Sequence, residues 1–372
     1  MKLIQTFINK TNLKVLIVPD VHLKPVNPKN RKKYPEEILE YQQNLLKLVE
    51  LEKVDIVIYL GDIYHNEFEG KLSAKYNQEL VGIVNAIKSM GVRVFTLMGN
   101  HELHSFIKGS IFFSNIQYNS NRILADLEAK QVKIPKYPVP TWETCDQLII
   151  NDSICFEMHH FSDIDKSYTT EPNDYKCTIG LFHDAILPSN ARKHIKAITV
   201  VDLGRYTSVE YNDEMFTNLN YAVCGDIHTK IGEMVVKTST GDVLADIPGS
   251  IGRVASGIAE SHESVELPLF TICQDKVTKS HITFKLWSIK DSFKLSIVEE
   301  NKKKYGDMKV LQANMESVSV RKTFEEDLET FPNYAKEIVS EIRERGVYSS
   351  KTKDRTLTFL QKRSLLQRNL NK

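Results

Sequence analysis

Five short apolar runs before residue 230 each break into a polar turn. Val15-Leu-Ile-Val18 leads into Asp20-Val-His22, Ile56-Val-Ile-Tyr-Leu60 into Gly61-Asp62, and Val92-Arg-Val-Phe-Thr-Leu-Met98 into Gly99-Asn-His-Glu102. Ile179-Gly-Leu-Phe182 then meets His183, and Tyr221-Ala-Val-Cys224 meets Gly225-Asp-Ile-His228. Continuous apolar runs of this length, bounded by turn residues, predict strands buried on both faces. Between the first three, Ile38, Leu45, Leu48 and Val49, then Leu80, Val84 and Ile87, recur at three- and four-residue spacing, which predicts helices over 36–52 and 73–90. Strands alternating with helices give an α/β fold with parallel strands. In such sheets the turns beyond the strand ends hold the ligands.

Further along, 147–158 and 177–182 read as strands. So do 231–236, 243–247, 269–273 and 281–287, with turns at Thr240-Gly241 and over 274–279. These strands complete a second sheet, so the expected architecture is a β-sandwich flanked by helices. Pro135, Pro138 and Pro140 mark a turn-rich link in the poorly patterned stretch 105–175, where Trp142 is a candidate core anchor. The polar stretch 202–218 is expected to loop over the functional face.

The five turns supply imidazoles, carboxylates and a carboxamide but no thiolate. That donor set suits Mn²⁺, Fe²⁺ or Zn²⁺. The candidate ligands outnumber the positions of one ion, so two ions sharing a carboxylate is the economical arrangement. Two metals about 3.5–4 Å apart clamp the attacking and leaving oxygens of a phosphoryl displacement.

In order, D-x-H, G-D, G-N-H-E, a lone H and G-D-x-H across residues 20–228 resemble the pattern of the calcineurin-like metallophosphoesterases. Within that superfamily the chain looks most like the SbcD-type DNA double-strand-break repair nuclease subunits, including phage recombination endonuclease subunits. Gly61-Asp-Ile-Tyr-His65 carries a histidine three residues after the aspartate, Ile247-Pro-Gly-Ser250 resembles a Pro-Gly-Ser turn of that subgroup, and over a hundred residues follow.

The resemblance implies a four-layer β-sandwich with a small α+β capping domain and a C-terminal partner-binding helix. It implies Asp20, His22, Asp62 and His228 on one metal, and Asp62, Asn100, His183 and Asp226 on the other, Asp62 bridging. The family usually has histidine where this chain has Asp226. An added carboxylate either tunes the second site toward harder Mn²⁺ or Mg²⁺ or weakens its occupancy. His101 is implied as general acid, phosphate-orienting group or hydrogen-bond partner of a ligand. Glu102 either fixes the His101 tautomer or caps the following helix, and His65 touches the substrate phosphate by resemblance or, read from the residues alone, is a surface histidine. His104, His159, His160 and His194 match no family position. The implied reaction is metal-dependent hydrolysis of DNA phosphodiesters, exonucleolytic or endonucleolytic, in repair or recombination. The same fold class carries small-molecule phosphodiesterases, nucleotidases and protein phosphatases, and a scaffold without chemistry is a further alternative. Ile63-Tyr-His-Asn-Glu67 lacks the arginine-glycine signature of the protein phosphatases.

Composition refines the picture in a few places. The 372 residues exceed one ordinary domain. A nuclease domain over 1–289, a capping and DNA-binding domain over 290–350 and a basic amphipathic tail over 351–372 are expected. The tail carries seven basic residues against one acidic, interleaved with leucines. It reads either as a docking element, for an SbcC-type coiled-coil ATPase by resemblance, or as a helix folded back on its own domain. With a net charge of +1, any nucleic-acid surface must be local. Lys24, Lys29, Arg31, Lys32 and Lys33 form an acid-free loop after His22, suited either to a DNA backbone or to solvent. Five widely spaced cysteines without a C-x-x-C pair read as buried thiols in a reducing compartment. No apolar run is long enough to cross a membrane. The expected setting is the cytoplasm, nucleoid-associated in a bacterial or phage-infected cell, and a homodimer is compatible with it.

Overall fold

The computed structural model describes residues 3–28, 31–65, 70–107, 115–116, 119–132, 141–162, 170–184, 186–191, 210–253 and 262–294. The chain divides into two units, residues 1–300 and 301–372. The expected capping domain beyond residue 294, the basic tail, Lys29, His194 and the three link prolines lie outside the described residues.

Two sheets pack face to face. One has five strands in the order β14 (Lys276–Lys285), β13 (Ser264–Cys273), β2 (Asn12–Val18), β3 (Ile56–Tyr59) and β4 (Arg93–Thr96). The other has seven, in the order β1 (Gln5–Ile8), β5 (Gln147–Ile150), β6 (Ile154–His159), β7 (Cys177–Phe182), β10 (Tyr221–Cys224), β12 (Gly241–Ile247) and β11 (Gly232–Thr238). β2, β3 and β4 run parallel, as do β6, β7, β10 and β12. Short strands β8 (Ile186–Leu187) and β9 (Glu210–Tyr211) pair separately.

Alternation within the apolar runs builds the layers. Val15 and Ile17 of β2 and Ile56 and Ile58 of β3 meet Leu148, Phe156, Ile179 and Leu181 in the core between the sheets. Leu16, Val18, Val57 and Tyr59 point the other way, onto α1 (Tyr34–Glu52) and α2 (Gly70–Ser89), which present Ile38, Leu45, Val49, Leu80, Val84 and Ile87. The runs 15–18 and 56–59 lack charged positions because both faces are covered there. Trp142 is fully buried in the helix-side core, edge-on to Tyr59 and Tyr64.

Three expectations need correction. The apolar stretch 147–158 is not one strand but the hairpin β5–β6, because Asn151 and Asp152 both adopt left-handed backbone, φ 51° and 53°. The turn expected over 274–279 shrinks to Gln274 and Asp275, and β13 and β14 are ten residues each. In the polar stretch 202–218, the described part buries Met215 and Phe216 against the outer face of the seven-stranded sheet. Four cysteines are buried as expected, whereas Cys273 is exposed at the end of β13. Among the described residues, no helix is long and apolar enough to cross a membrane.

Candidate metal centre

All five polar turns leave the carboxyl ends of parallel strands at one edge of the sandwich. Asp20 and His22 follow β2, Asp62 follows β3, and Asn100 opens α3 (Asn100–Ile107) after β4. His183 follows β7, and Asp226 and His228 follow β10. Three of these residues, His22, Asp62 and Asp226, have φ of 52°, 46° and 63°, a conformation that side chains rarely accept. Such strain persists only where the surroundings impose it, and it clusters at functional sites. Here the backbone imposes it: Val21 and His22 N–H both donate to the Asp62 carbonyl at 3.1 and 2.7 Å, and Asp226 N–H donates to Asp20 Oδ2 at 2.9 Å.

The side chains converge. His22 Nε2 lies 2.7 Å from His228 Nε2, 3.5 Å from Asp62 Oδ2 and 4.0 Å from Asp20 Oδ2. On the other flank, His183 Nε2 is 3.4 Å from Asp62 Oδ1 and 4.0 Å from Asp226 Oδ1. Asp62 thus stands between a group holding His22 and His228 and a group holding His183 and Asp226. Asp20/His22/His228 and Asp20/Asp62/His183 each bring their ligand atoms within 4.8 Å of one another.

These residues fit divalent cations on chemical grounds. Asp20 Oδ1, Asp62 Oδ2, Asn100 Oδ1 and His183 Nε2 are buried with no hydrogen-bond partner. Buried polar atoms normally have one, so four orphans at one spot call for a cation. Burial pushes the Asp20 carboxyl up to about 7, its neighbour Asp62 adding to the rise and His183 and His228 opposing it. Burial also works against ionised Asp62, but His183, His101 and His22 around it hold its carboxyl below the usual range. His183 Nδ1 is spent on the Leu60 carbonyl at 2.6 Å, which places the proton on Nδ1 and leaves Nε2 free to ligate.

His101 and His65 border the cluster. His101 N–H donates to Asp62 Oδ1 at 3.0 Å, and its Nε2 lies 3.7 Å from Asp62 Oδ2 with the side chain 16% exposed. Burial lowers the His101 imidazole from its ordinary range, with Asp62 opposing the shift. His65 stacks on His101 with ring centroids 4.6 Å apart and reaches His22 Nδ1 with its own Nδ1 at 3.4 Å.

Glu102 caps α3 through Gly99 N–H, one of its two expected roles, and reaches further. Its carboxylate accepts from Asp62 N and Gly99 N on one oxygen, at 2.7 and 3.1 Å, and from Tyr64 N on the other, at 2.9 Å. It is therefore a brace that ties the turn after β3 to the turn after β4. His160, unassigned from sequence, is a second brace: its Nδ1 accepts from Met98 N and its Nε2 donates to the Cys145 carbonyl, both at 2.9 Å. His159 stacks on Phe182, and His104 meets Phe161 edge-on. The Pro-Gly-Ser turn holds the site from below, for Ile251 and Gly252 N–H donate to the Asp20 carbonyl at 2.9 and 3.1 Å.

The basic loop divides. Burial, then His101 and Lys24, lower the His65 imidazole to about 3, Lys32 Nζ donates to the Lys290 carbonyl at 2.6 Å, and Lys33 is exposed. Arg31 does not belong to a nucleic-acid surface. It is buried between Tyr34 and Phe293, paired with Glu37 and bonded to the Arg253 carbonyl. Glu37 also binds Arg253, which reaches Tyr41, Ser292 and the Trp287 carbonyl. A lone sequence cannot separate a solvated arginine from one whose carboxylate partner lies six residues on.

Residues 13–230 match the family described as calcineurin-like phosphoesterase. Among solved structures, the chain is similar to a dimetal phosphatase from Danio rerio, at 10% identity and a TM-score of 0.35, over 73% of this chain and 99% of that one. No curated protein matches it. With the family match spanning more than half of its length, the chain belongs to the calcineurin-like phosphoesterases.

Proposed function

We propose that the chain is an SbcD-type nuclease subunit that hydrolyses DNA phosphodiesters with two divalent ions, Mn²⁺ foremost, and works with an SbcC-type ATPase. The observation that carries this reading is the placement of His65. The turn after Asp62 folds this histidine back onto the ligand cluster, against His22 and His101, and it is one of the three features that carry the likeness to that nuclease subgroup. Lys24 beside it adds a cation for a phosphate backbone.

When bound, two divalent ions neutralise phosphoryl oxygens and lower the pKa of a water nucleophile. Asp20, His22 and His228 would hold one, Asn100, His183 and Asp226 the other, with Asp62 between them. The absence of thiolates and the carboxylate of Asp226 favour Mn²⁺ over softer ions. His101 is the proton donor. Its Nε2 lies 3.7 Å from Asp62 Oδ2 on a side chain that stays partly exposed, so it can protonate a leaving sugar oxygen at the edge of the cluster.

The test is the full chain with Mn²⁺ on end-labelled linear double-stranded DNA and on a generic phosphodiester, beside His101→Ala and Asp62→Asn. Degradation of DNA is expected, with kcat reduced about 10²- to 10⁴-fold in His101→Ala and activity abolished in Asp62→Asn. Hydrolysis of the small ester alone, with or without an ATPase partner, replaces this reading with a small-molecule phosphodiesterase. Inactivity on both substrates with no metal bound leaves a scaffold.

A further inference from the structure

We propose that His65 is a positioning residue for the metal ligand His22, accepting the Nδ1–H of His22 and so fixing which nitrogen of that imidazole faces the metal. The inference rests on the two-metal reading above and concerns how one site is held.

The backbone brings the two rings together. Leu23 N–H donates to the Ile63 carbonyl and His65 N–H to the Leu23 carbonyl, at 2.8 and 2.9 Å, so the turns after β2 and β3 zip side by side for one bridge. His22 is clamped at both backbone ends: its N–H binds the Asp62 carbonyl and its carbonyl accepts from the Tyr34 hydroxyl at 3.0 Å. What remains to be set is the ring. Nε2 faces Asp20, Asp62 and His228, so that nitrogen must offer a lone pair to a cation. In a neutral imidazole the proton then sits on Nδ1, and a ligating histidine needs an acceptor there. His183 uses the Leu60 carbonyl. For His22, the group at Nδ1 is His65 Nδ1, 3.4 Å away. Accepting that proton puts the hydrogen of His65 on its own Nε2. An imidazole therefore does for one site what a carbonyl does for the other.

Stacking on His101 gives His65 a packing role as well, and two variants separate the roles. His65→Asn places a carbonyl oxygen where Nδ1 was and loses the ring. His65→Phe keeps the ring and loses the acceptor. Mn²⁺ uptake by the full chain is followed through the electron paramagnetic resonance signal of the free ion, with circular dichroism of the metal-free variants as the check on folding. Loss of the acceptor is expected to weaken one of two Mn²⁺ by about 10- to 100-fold in His65→Phe, with His65→Asn within about threefold of wild type. Should the Phe variant not fold, His65→Ala reads the same loss. Equal affinities in wild type and His65→Phe, or an equal fall in both variants, overturns the proposal and leaves the two-metal reading standing. A wild-type chain that takes up no Mn²⁺ overturns both.

Discussion

At Gly99 the site leaves no room for a side chain. A Cβ there would run into Asp62 Oδ1 and stand 2.5 Å from Asp62 N and 2.7 Å from Glu102 Oε2. Gly99→Ala is therefore expected to displace the bridging carboxylate and its brace while the strands stay intact, lowering Mn²⁺ affinity by at least about tenfold as loss of outer-shell support does. Calorimetric titration of the variant checks this, and an unchanged affinity would show that Asp62 tolerates the displacement. The cluster of candidate ligands was legible in the sequence because each sits where an apolar run ends, and the chemistry of their side chains is explicit. The cap that Glu102 places on α3 was legible, but its brace to the next strand end and the pairing of Arg31 were not. Besides Gly99 N–H, Glu102 binds Asp62 and Tyr64 N–H, groups that only the juxtaposition of two strand ends brings to it. Arg31 lies in a basic run, and its burial rests on Glu37 six residues on together with the Arg253 carbonyl and the Phe293 ring from far along the chain.

Among the elements, β4 is held in place by a histidine from β6's end. His160 is fully buried, bridges Met98 N–H and the Cys145 carbonyl, and burial lowers it to about 4. Its neutral form is favoured in the fold, so the stability it contributes is present above pH 6.5 and is lost as pH falls toward 4. The drop amounts to roughly 3 kcal/mol over that window. Urea unfolding of wild type and His160→Gln at both ends of it gives the measurement: the wild type is expected to lose that much more stability than the variant, and parallel losses would exclude His160 as the source. Strand existence was readable from the apolar runs, since the central parts of β2, β3, β4, β7 and β10 are covered on both faces and are mostly apolar there. The hairpin in 147–158 was not, because the apolar residues on either side mask a three-residue turn, Asn151 to Ser153. β1 escaped notice because its residues alternate between exposed and half-buried at a sheet edge.

Across the whole molecule, two sheets converge on a centre that opposes folding without its ions. Burial raises Asp20 to about 7, which means that its charged form is disfavoured there, and four buried ligand atoms lack a hydrogen bond. Divalent ions bind this arrangement only in the native state, so each adds stability by mass action. At a free concentration of one hundred times Kd, the gain is about 2.7 kcal/mol per ion, a rise in Tm on the order of 4 °C for a unit of this size. Asp20→Asn separates the two sides of that balance. The amide removes the disfavoured charge but gives up a ligand, so at pH 8 the metal-free variant is expected to melt no lower than metal-free wild type. Added Mn²⁺ should then raise the wild type and leave the variant nearly unmoved. Scanning calorimetry with and without a chelator measures both differences. If Asp20→Asn melted well below wild type in the chelator, the carboxylate would be stabilising the fold on its own account, and the buried cluster would need another explanation than the ions it is built to hold.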